Sequence, residues 1–167
     1  VDEIVPTEYL WGHLHRQSFA SRAATREKYG ASEGTPLVAV FDSTHSRDSY
    51  NTPATLRRFY EAASLLAERL PEAVFVAKPK DPVLDGAELG TSGRRMIMAD
   101  PWVTDANELI AAADLVINMS QSSIMVEALL CGVPAISLDE TDRDWRKQLG
   151  RPDLLVFDNA EALCNAA

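Results

Sequence analysis

The sequence predicts an α/β fold with a doubly wound, mostly parallel sheet of about six strands. Short, nearly all-apolar runs rich in β-branched residues alternate with segments whose apolar residues recur at helical spacing. Strands without a polar face are typical of parallel sheets that helices cover on both sides. The 167 residues suffice for one domain with a sizeable core, and the 46% hydrophobic content is ordinary for a globular protein.

The predicted strands are short apolar runs bounded by turn-forming or polar residues. They are PLVAVFD (36–42), AVFVAK (73–78), MIMAD (96–100), LVINMS (115–120), PAISLD (134–139) and LLVFDN (154–159). The segment between the second and third strands, DPVLDGAELGTSGRRM, is expected to be a loop-rich connection with at most one short helix.

The predicted helices lie between these strands. Residues 52–70 show helical spacing, with Thr52 as the N-cap and Pro53 at the first helical position. Asp105 caps a second helix. Further helices are predicted after the fourth strand, at 143–150 and at the C-terminus. Residues 1–34 stand outside the alternation and are predicted to be a helical linker, which leaves 35–167 as the sheet domain.

Charge and composition exclude several classes of protein. Sixteen basic and 25 acidic residues give a net charge of -9, which argues against a nucleic-acid surface, because phosphates need clustered Lys and Arg. No apolar run reaches the roughly 18–20 residues of a membrane helix, and the first residues lack the features of a signal peptide. Cys131 and Cys164 show no metal-ligand spacing, so a reducing, cytoplasmic compartment is expected. Cys131 is expected to be a buried, inert thiol.

The stretch NMSQSSIMVEALLCGVPAIS (118–137) carries the main functional signal. Its helix begins after the fourth strand, at the edge where doubly wound sheets bind ligands. The free N–H groups and the dipole of a helix start favour an anion, and Ser120, Ser122 and Ser123 add small hydroxyl donors. The absence of a Gly-rich run with a following Lys excludes an NTPase phosphate loop. Serine is also an ordinary N-cap, so this cluster alone leaves both readings open.

Glu127 is a carboxylate in an otherwise apolar helix. Its spacing from Ser120 and Ser123 places all three on one predicted helix face. Four residues rise about 6 Å, which is close to the distance between a phosphate and the ribose of one nucleotide. The apolar neighbours predict a largely buried helix, in which an unpaired carboxylate would be costly. Glu127 therefore either accepts hydrogen bonds from ribose hydroxyls or forms a structural ion pair, for instance with Arg94 or Arg95.

These residues resemble the nucleotide-sugar half of GT-B glycosyltransferases of the bacterial surface polysaccharide type. There, small residues precede E-A-[LM]-x-x-G-x-P-x-[IV], which matches Glu127 and the following ALLCGVPAI. The resemblance implies a Rossmann-like half of a GT-B fold in which Glu127 binds ribose and Gly132 and Pro134 shape the helix end. It also implies that the serine-rich turn meets the donor phosphates. That turn consists of Ser120, Gln121, Ser122 and Ser123.

Weaker likeness extends over 36–159. FVAKPKDP is similar to a K-P-H-P-like element of capsule and teichoic-acid transferases, but Lys80 stands where those carry His, so that residue's catalytic role is not transferred. Lys78 ends a strand at the ligand edge, where a cation could meet a phosphate. The loop after the first strand often lines donor phosphates in GT-B proteins, which makes Thr44 a candidate. His45 is a weak candidate for an acid or base.

The segment after the third strand commonly packs against the base in this family. Pro101, Trp102 and Val103 are therefore candidates for base stacking, with Trp102 as an ordinary core residue the equal alternative. The acidic stretch 139–144 lacks the spacing of a calcium loop, and no Asp-x-Asp motif is present. We therefore predict no metal site and no cofactor other than the donor substrate.

The resemblance implies the donor domain of a glycosyltransferase that acts in capsule, O-antigen or lipopolysaccharide assembly. The donor would be a CMP- or UDP-linked sugar, and the acceptor would bind an N-terminal domain that 1–34 is too short to form. The isolated chain would then be inactive. Such an enzyme works in the cytoplasm, as a peripheral protein at the inner membrane.

Other readings remain open at this stage. A sugar-nucleotide epimerase half-domain shares the same helix start and glutamate. A teichoic-acid-type glycerophosphotransferase is disfavoured by Lys80, and a non-catalytic Rossmann-like binding module would leave the edge empty or regulatory. A phospho-receiver domain needs an acceptor Asp after the third strand and a Lys after the fifth, and only Asp100 roughly suits.

Overall fold

The computed structural model describes residues 18–43, 51–80, 96–120, 122–139 and 155–166. The strands are β1 Leu37–Phe41, β2 Val74–Lys78, β3 Met96–Met98, β4 Leu115–Met119, β5 Ala135–Leu138 and β6 Leu155–Phe157. The helices are α1 Arg22–Lys28, α2 Pro53–Arg69, α3 Ala106–Ala112, α4 Ser123–Leu130 and α5 Ala160–Ala166.

The six strands form one sheet in the order β3-β2-β1-β4-β5-β6, and each neighbouring pair is parallel. The predicted doubly wound α/β fold is therefore confirmed. The chain leaves β1 toward β3 on one side and returns to β4 on the other, so the strand order reverses between β1 and β4. In such sheets the ligand crevice lies at this reversal, beyond the carboxyl ends of the strands.

The core consists of two apolar clusters, one on each face of the sheet. On the first face, α2 and α5 cover the strands, with Phe59, Tyr60 and Leu163 among the buried side chains. On the second face, α3 and α4 cover the strands through residues such as Ile110 and Met125, and α1 packs on α3. Helices on both faces explain why the central strands are nearly all apolar, since neither face meets water.

Several predicted helix ends are confirmed. The Thr52 hydroxyl accepts a hydrogen bond from the Thr55 N–H (3.2 Å), and the Thr55 hydroxyl accepts one from the Thr52 N–H (2.7 Å), with Pro53 at the first helical position. Asp105 accepts a hydrogen bond from the Asn107 N–H (2.7 Å) at the start of α3. The helix predicted at 143–150 lies outside the described residues, whereas the C-terminal helix is observed as α5.

The described part of the N-terminal segment packs on the second face of the sheet. Arg22 and Arg26 of α1 both form ion pairs of 2.8 Å with Asp114, just after α3. Their guanidinium groups also donate to the last carbonyls of α3 and its C-cap, those of Ala111, Ala112 and Ala113. Cations at a helix C-terminus satisfy these carbonyls and complement its dipole. A linker role for 1–34 stays a prediction.

None of the helices in the described ranges is long and apolar enough to cross a membrane.

Candidate functional site

The candidate site lies at the carboxyl edge of the sheet, on the second face. Lys78, Phe41, Asn118 and Ser137 form one registered row across β2, β1, β4 and β5. Each lies two residues beyond a member of the second-face core, so alternation along a strand points its side chain to that face as well. Asn118 and Ser137 are buried and Lys78 is half-buried. The end of the sheet thus becomes polar on the side that α3 and α4 cover.

Ser120 adopts a left-handed backbone conformation directly after β4. Its φ is 51°, and it is the one non-glycine residue with positive φ in the described part of the chain. The Ser120 carbonyl accepts hydrogen bonds from the Asn118 side-chain amide (2.7 Å) and the Ser137 hydroxyl (2.8 Å). Its N–H donates to the Leu138 carbonyl (2.9 Å). These contacts hold the turn between β4 and α4 against β5.

The Ser120 side chain links two loops of this edge. Its hydroxyl donates a 2.9 Å hydrogen bond to the Asn51 side-chain oxygen, and both residues are buried. Asn51 directly precedes the N-cap of α2, so the turn after β4 is tied to the segment that follows β1. Thr44 and His45, the candidates from that loop, lie outside the described residues.

The start of α4 differs from the predicted one. The helix begins at Ser123 with Ser122 as N-cap, and the Ser122 hydroxyl accepts a 3.3 Å hydrogen bond from the Ile124 N–H. Ser120 lies before the helix, so the predicted common face of Ser120, Ser123 and Glu127 is wrong. Ser123 and Glu127 remain one turn apart within α4. Gln121 lies outside the described residues.

The prediction that α4 is largely buried is also wrong. Met125 and Ala128 are buried, whereas Val126 is 51% exposed and Leu130 is 56% exposed. The helix packs on β4 and β5 through Met125 and Ala128, with Ile124 half-buried beside them, and its other apolar side chains face outward. Because nearly every residue of this helix is apolar, its sequence does not indicate which side is buried and which is exposed.

Glu127 is half-buried on α4, and no side chain in the described ranges forms a hydrogen bond or ion pair with its carboxylate. The proposed partners Arg94 and Arg95 lie outside those ranges. The Glu127 charge has one visible effect on a neighbour. Burial, and then the negative charge of Glu127, raise the pKa of the half-buried Cys131 thiol. The prediction that Cys131 is buried is therefore wrong. A raised pKa lowers the thiolate fraction, as expected of an inert thiol.

Gly132 ends α4 as the resemblance implied. Its φ of 72° is a conformation that a side chain would strain, while its N–H donates to the Leu129 carbonyl (3.0 Å). The following N–H, of Val133, donates to the Ala128 carbonyl (2.9 Å). This left-handed helix end turns the chain directly into β5.

The turn between β3 and α3 presents two apolar side chains to solvent. The Asp100 carboxylate accepts hydrogen bonds from the N–H groups of Trp102 (2.8 Å) and Val103 (3.2 Å), which fixes the turn. Trp102 is 80% exposed and Val103 is 74% exposed, while Pro101 is half-buried. The alternative of Trp102 as a core residue is therefore wrong. Since α3 packs beside α4, this turn and the start of α4 share one edge of the second face.

Asp42 is a buried carboxylate next to Phe41 of the registered row, and it was not predicted as a site residue. Asp42, directly after β1, accepts hydrogen bonds from the Tyr60 hydroxyl (3.1 Å) and the Lys80 N–H (2.6 Å). Burial, together with the charge of Asp42 and its hydrogen bond, raises the pKa of Tyr60 well above its ordinary value. Asp42 thus ties Lys80, two residues beyond Lys78 at the end of β2, to the end of β1. Its signal in the sequence is a carboxylate that directly follows an all-apolar strand.

Metal-ligating side chains do not cluster in the part of the chain that the structure describes: no three of His, Cys, Asp and Glu lie together there. Of the acidic stretch 139–144, only Asp139 belongs to this part.

No family model and no curated protein matches the chain. Two solved structures resemble its fold. A protein assigned as UDP-N-acetylglucosamine 2-epimerase from Listeria monocytogenes has a TM-score of 0.55 and 18% identity over 80% of this chain and 36% of its own. HepE of Anabaena, in complex with UDP and glucose, has a TM-score of 0.54 and 19% identity over 88% and 41%.

At such identities the likeness concerns the fold alone. The chain spans about two fifths of the length of each neighbour.

Proposed function

We propose that this chain is the donor-binding half of a glycosyltransferase that uses a nucleotide-activated sugar, with UDP as the first nucleotide to test. One observation carries the proposal. Glu127 stands one turn into the helix that begins at the carboxyl edge of β4, beside the strand-order reversal, and no described side chain satisfies it. A half-buried carboxylate in that position is suited to accept hydrogen bonds from vicinal hydroxyls.

Groups for the other parts of a nucleotide lie along the same edge. The serine-capped start of α4 offers N–H donors and a dipole for phosphate. Lys78, half-buried at the end of β2, supplies a cation on the same face. Trp102 and Val103 offer an exposed apolar surface against which a base can stack. Phosphate, ribose and base are thereby assigned to α4, Glu127 and the turn before α3.

Transfer would follow from positioning and from stabilisation of the departing phosphate. Negative charge develops on the leaving nucleotide as the bond to the sugar breaks. The N–H groups of α4 and the Lys78 ammonium are placed to stabilise that charge. The acceptor and a catalytic base would come from another part of the protein, since each solved neighbour is more than twice as long as the region it shares with this chain.

The finer biological role rests on the sequence resemblance. That resemblance supports a bacterial surface glycan as product, assembled at the cytoplasmic face of the membrane. Fold analogy on its own does not select a substrate, because one fold hosts many reactions.

A sugar-nucleotide epimerase half-domain is the second candidate, favoured by the neighbour that is assigned as such an epimerase. Both reactions begin with the same donor binding. They differ in product, since an epimerase returns an altered nucleotide sugar without an acceptor. Product analysis of the parent protein separates the two.

The test is calorimetric titration of the chain with UDP, CMP, GDP and ADP, for the unaltered protein, Glu127→Gln and Glu127→Ala. We expect one nucleotide to bind and both substitutions to weaken it by roughly 1–3 kcal/mol, as for lost hydrogen bonds to a charged group. Glu161→Gln is the matched control, because Glu161 is exposed on α5, on the opposite face.

Binding of no nucleotide, together with a lower melting temperature for Glu127→Gln, would make Glu127 a structural residue and reject the proposal. Binding that Glu127→Gln leaves unchanged would move the ribose site elsewhere.

A further inference from the structure

Ser120 has an unusual combination of backbone conformation and burial. It is 7% exposed and has a φ of 51°, a region that residues with a Cβ rarely occupy. Serine has no intrinsic preference for this region, so the conformation must be imposed by surrounding contacts. It also lies two residues before the N-cap of α4, where any change in its backbone redirects the helix start.

Three side chains impose this conformation. The Asn118 amide and the Ser137 hydroxyl both donate to the Ser120 carbonyl, and Asn51 accepts from the Ser120 hydroxyl. Asn118 also donates to Ser137 at 3.3 Å, so the two donors support each other. Asn118 is fully buried and Ser137 is 2% exposed, which shields these hydrogen bonds from water.

We propose that Asn118 and Ser137 are positioning residues for nucleotide binding, which act by locking Ser120 in its left-handed conformation. This inference rests on the proposed function and adds to it the residues that aim the site. Because the Ser120 carbonyl is held against β5, the direction in which the chain leaves β4 is fixed. The serine-capped start of α4 then faces the carboxyl edge before any ligand arrives. Such preorganisation removes an ordering cost from binding.

The hydrogen bonds that hold Ser120, called the lock below, also join the two parts of the sheet on either side of the strand-order reversal. Ser137 belongs to β5, whereas Asn51 belongs to the segment between β1 and α2, and Ser120 contacts both. A change at Ser137 is therefore expected to loosen the start of α4 while it leaves the apolar contacts of Met125 and Ala128 in place. The free energy of nucleotide binding should therefore change by more than the free energy of unfolding.

The test measures UDP affinity by calorimetry for Ser137→Ala in two backgrounds, the unaltered chain and Ser120→Gly. In the unaltered chain we expect about three- to tenfold weaker binding, the size of one lost buried hydrogen bond. In the Ser120→Gly background the same substitution should change affinity less than about twofold, because glycine occupies the left-handed region without cost. The difference between the backgrounds measures the coupling.

Ser64→Ala is the matched control. Ser64 is likewise a fully buried serine, on α2, and its hydroxyl has no hydrogen-bond partner among the described residues. Its substitution should leave UDP affinity unchanged. Amide hydrogen exchange provides a readout without ligand: Ser137→Ala, and not Ser64→Ala, should raise exchange in the first turn of α4.

Failure of this inference and of the proposed function give different results. If UDP binds and Glu127→Gln weakens it, but Ser137→Ala has equal effects in both backgrounds, the lock is rejected and the donor site stands. Equal exchange in the first turn of α4 for Ser137→Ala and the unaltered chain would also reject the lock. If the unaltered chain binds no nucleotide, both are overturned.

Discussion

Asp114 receives two guanidinium groups and one backbone N–H from elements distant in sequence. Arg26 approaches one carboxylate oxygen at 2.8 Å, and the Leu37 N–H donates to the same oxygen at 2.9 Å, at the start of β1. One carboxylate thereby joins α1, the end of α3 and the amino end of the central strand. This arrangement lies at the edge of the sheet opposite the candidate site.

We predict that Asp114→Asn lowers the free energy of unfolding by roughly 1 kcal/mol at neutral pH, a modest amount because the carboxylate is 41% exposed. Partial burial raises the pKa of Asp114, but the hydrogen bonds from Arg26 and Leu37 and the charges of Arg26 and Arg22 outweigh it, so the net pKa is lowered. This stabilisation is complete above the unfolded-state value of about 4 and disappears as the pH falls through the lowered folded-state pKa.

Urea unfolding of Asp114→Asn and the unaltered chain between pH 7 and pH 3 checks this prediction. The difference in unfolding free energy should be constant down to about pH 5 and shrink below about pH 4. A difference that stays the same down to pH 3 would contradict the assignment to the carboxylate charge.

The second prediction concerns the N-terminal segment. Tyr29 and Ala31 are buried in the second-face core, beside the contacts of Arg22 and Arg26. A chain that begins at residue 35 loses these contacts and should be less stable by about 3 kcal/mol or more, as for removal of a buried aromatic side chain. Urea unfolding of the two chains measures the difference. Equal free energies of unfolding for the two chains would instead support the predicted linker role of residues 1–34.

The third prediction concerns Trp102. Because this side chain is 80% exposed, Trp102→Ala should change the unfolding free energy by less than about 0.5 kcal/mol. If a base stacks on it, UDP affinity should fall by roughly 1–3 kcal/mol. Leu130→Ala is the control, since Leu130 is an exposed apolar residue at the far end of α4. Calorimetry of both variants decides, and equal losses would argue against a specific stacking role.

The fourth prediction concerns the contact between Tyr29 and Thr104, next to the turn that carries Trp102. The hydroxyl groups of Tyr29 and Thr104 lie 3.1 Å apart in a buried setting, and Thr104 directly follows Val103. Tyr29→Phe should cost about 1 kcal/mol of stability, and Thr104→Val a similar amount. The double substitution should cost less than the sum, because the second change removes a group that is already unpaired. Additive losses would mean that the two hydroxyls act independently.

The sheet could be predicted from the sequence because its signals are local. Each predicted strand coincides with an observed one within two residues at either end, and the caps at Thr52 and Asp105 follow from side chains next to the helix they begin. All-apolar strands alternating with helices left few other arrangements possible.

The candidate site was predictable only in part, because its geometry depends on distant contacts. Serine does not favour a positive φ, and the groups that hold Ser120 there belong to β4, β5 and the segment before α2. The sequence alone therefore favours a helix that includes Ser120, whereas the observed helix begins at Ser123. The exposure of Val126 and Leu130 was missed for a related reason: composition shows that a side chain is apolar but not which neighbours cover it.

The strand order also determines how the chain can fold. The central strand β1 gains one neighbour when β2 forms, but its other neighbour, β4, lies far along the chain. During synthesis, one edge of Leu37–Phe41 therefore stays unpaired until Met119 has left the ribosome. Closing that long loop, rather than forming any helix, should set the folding rate. Until then, an apolar strand with an open edge is the part of the nascent chain most prone to aggregate.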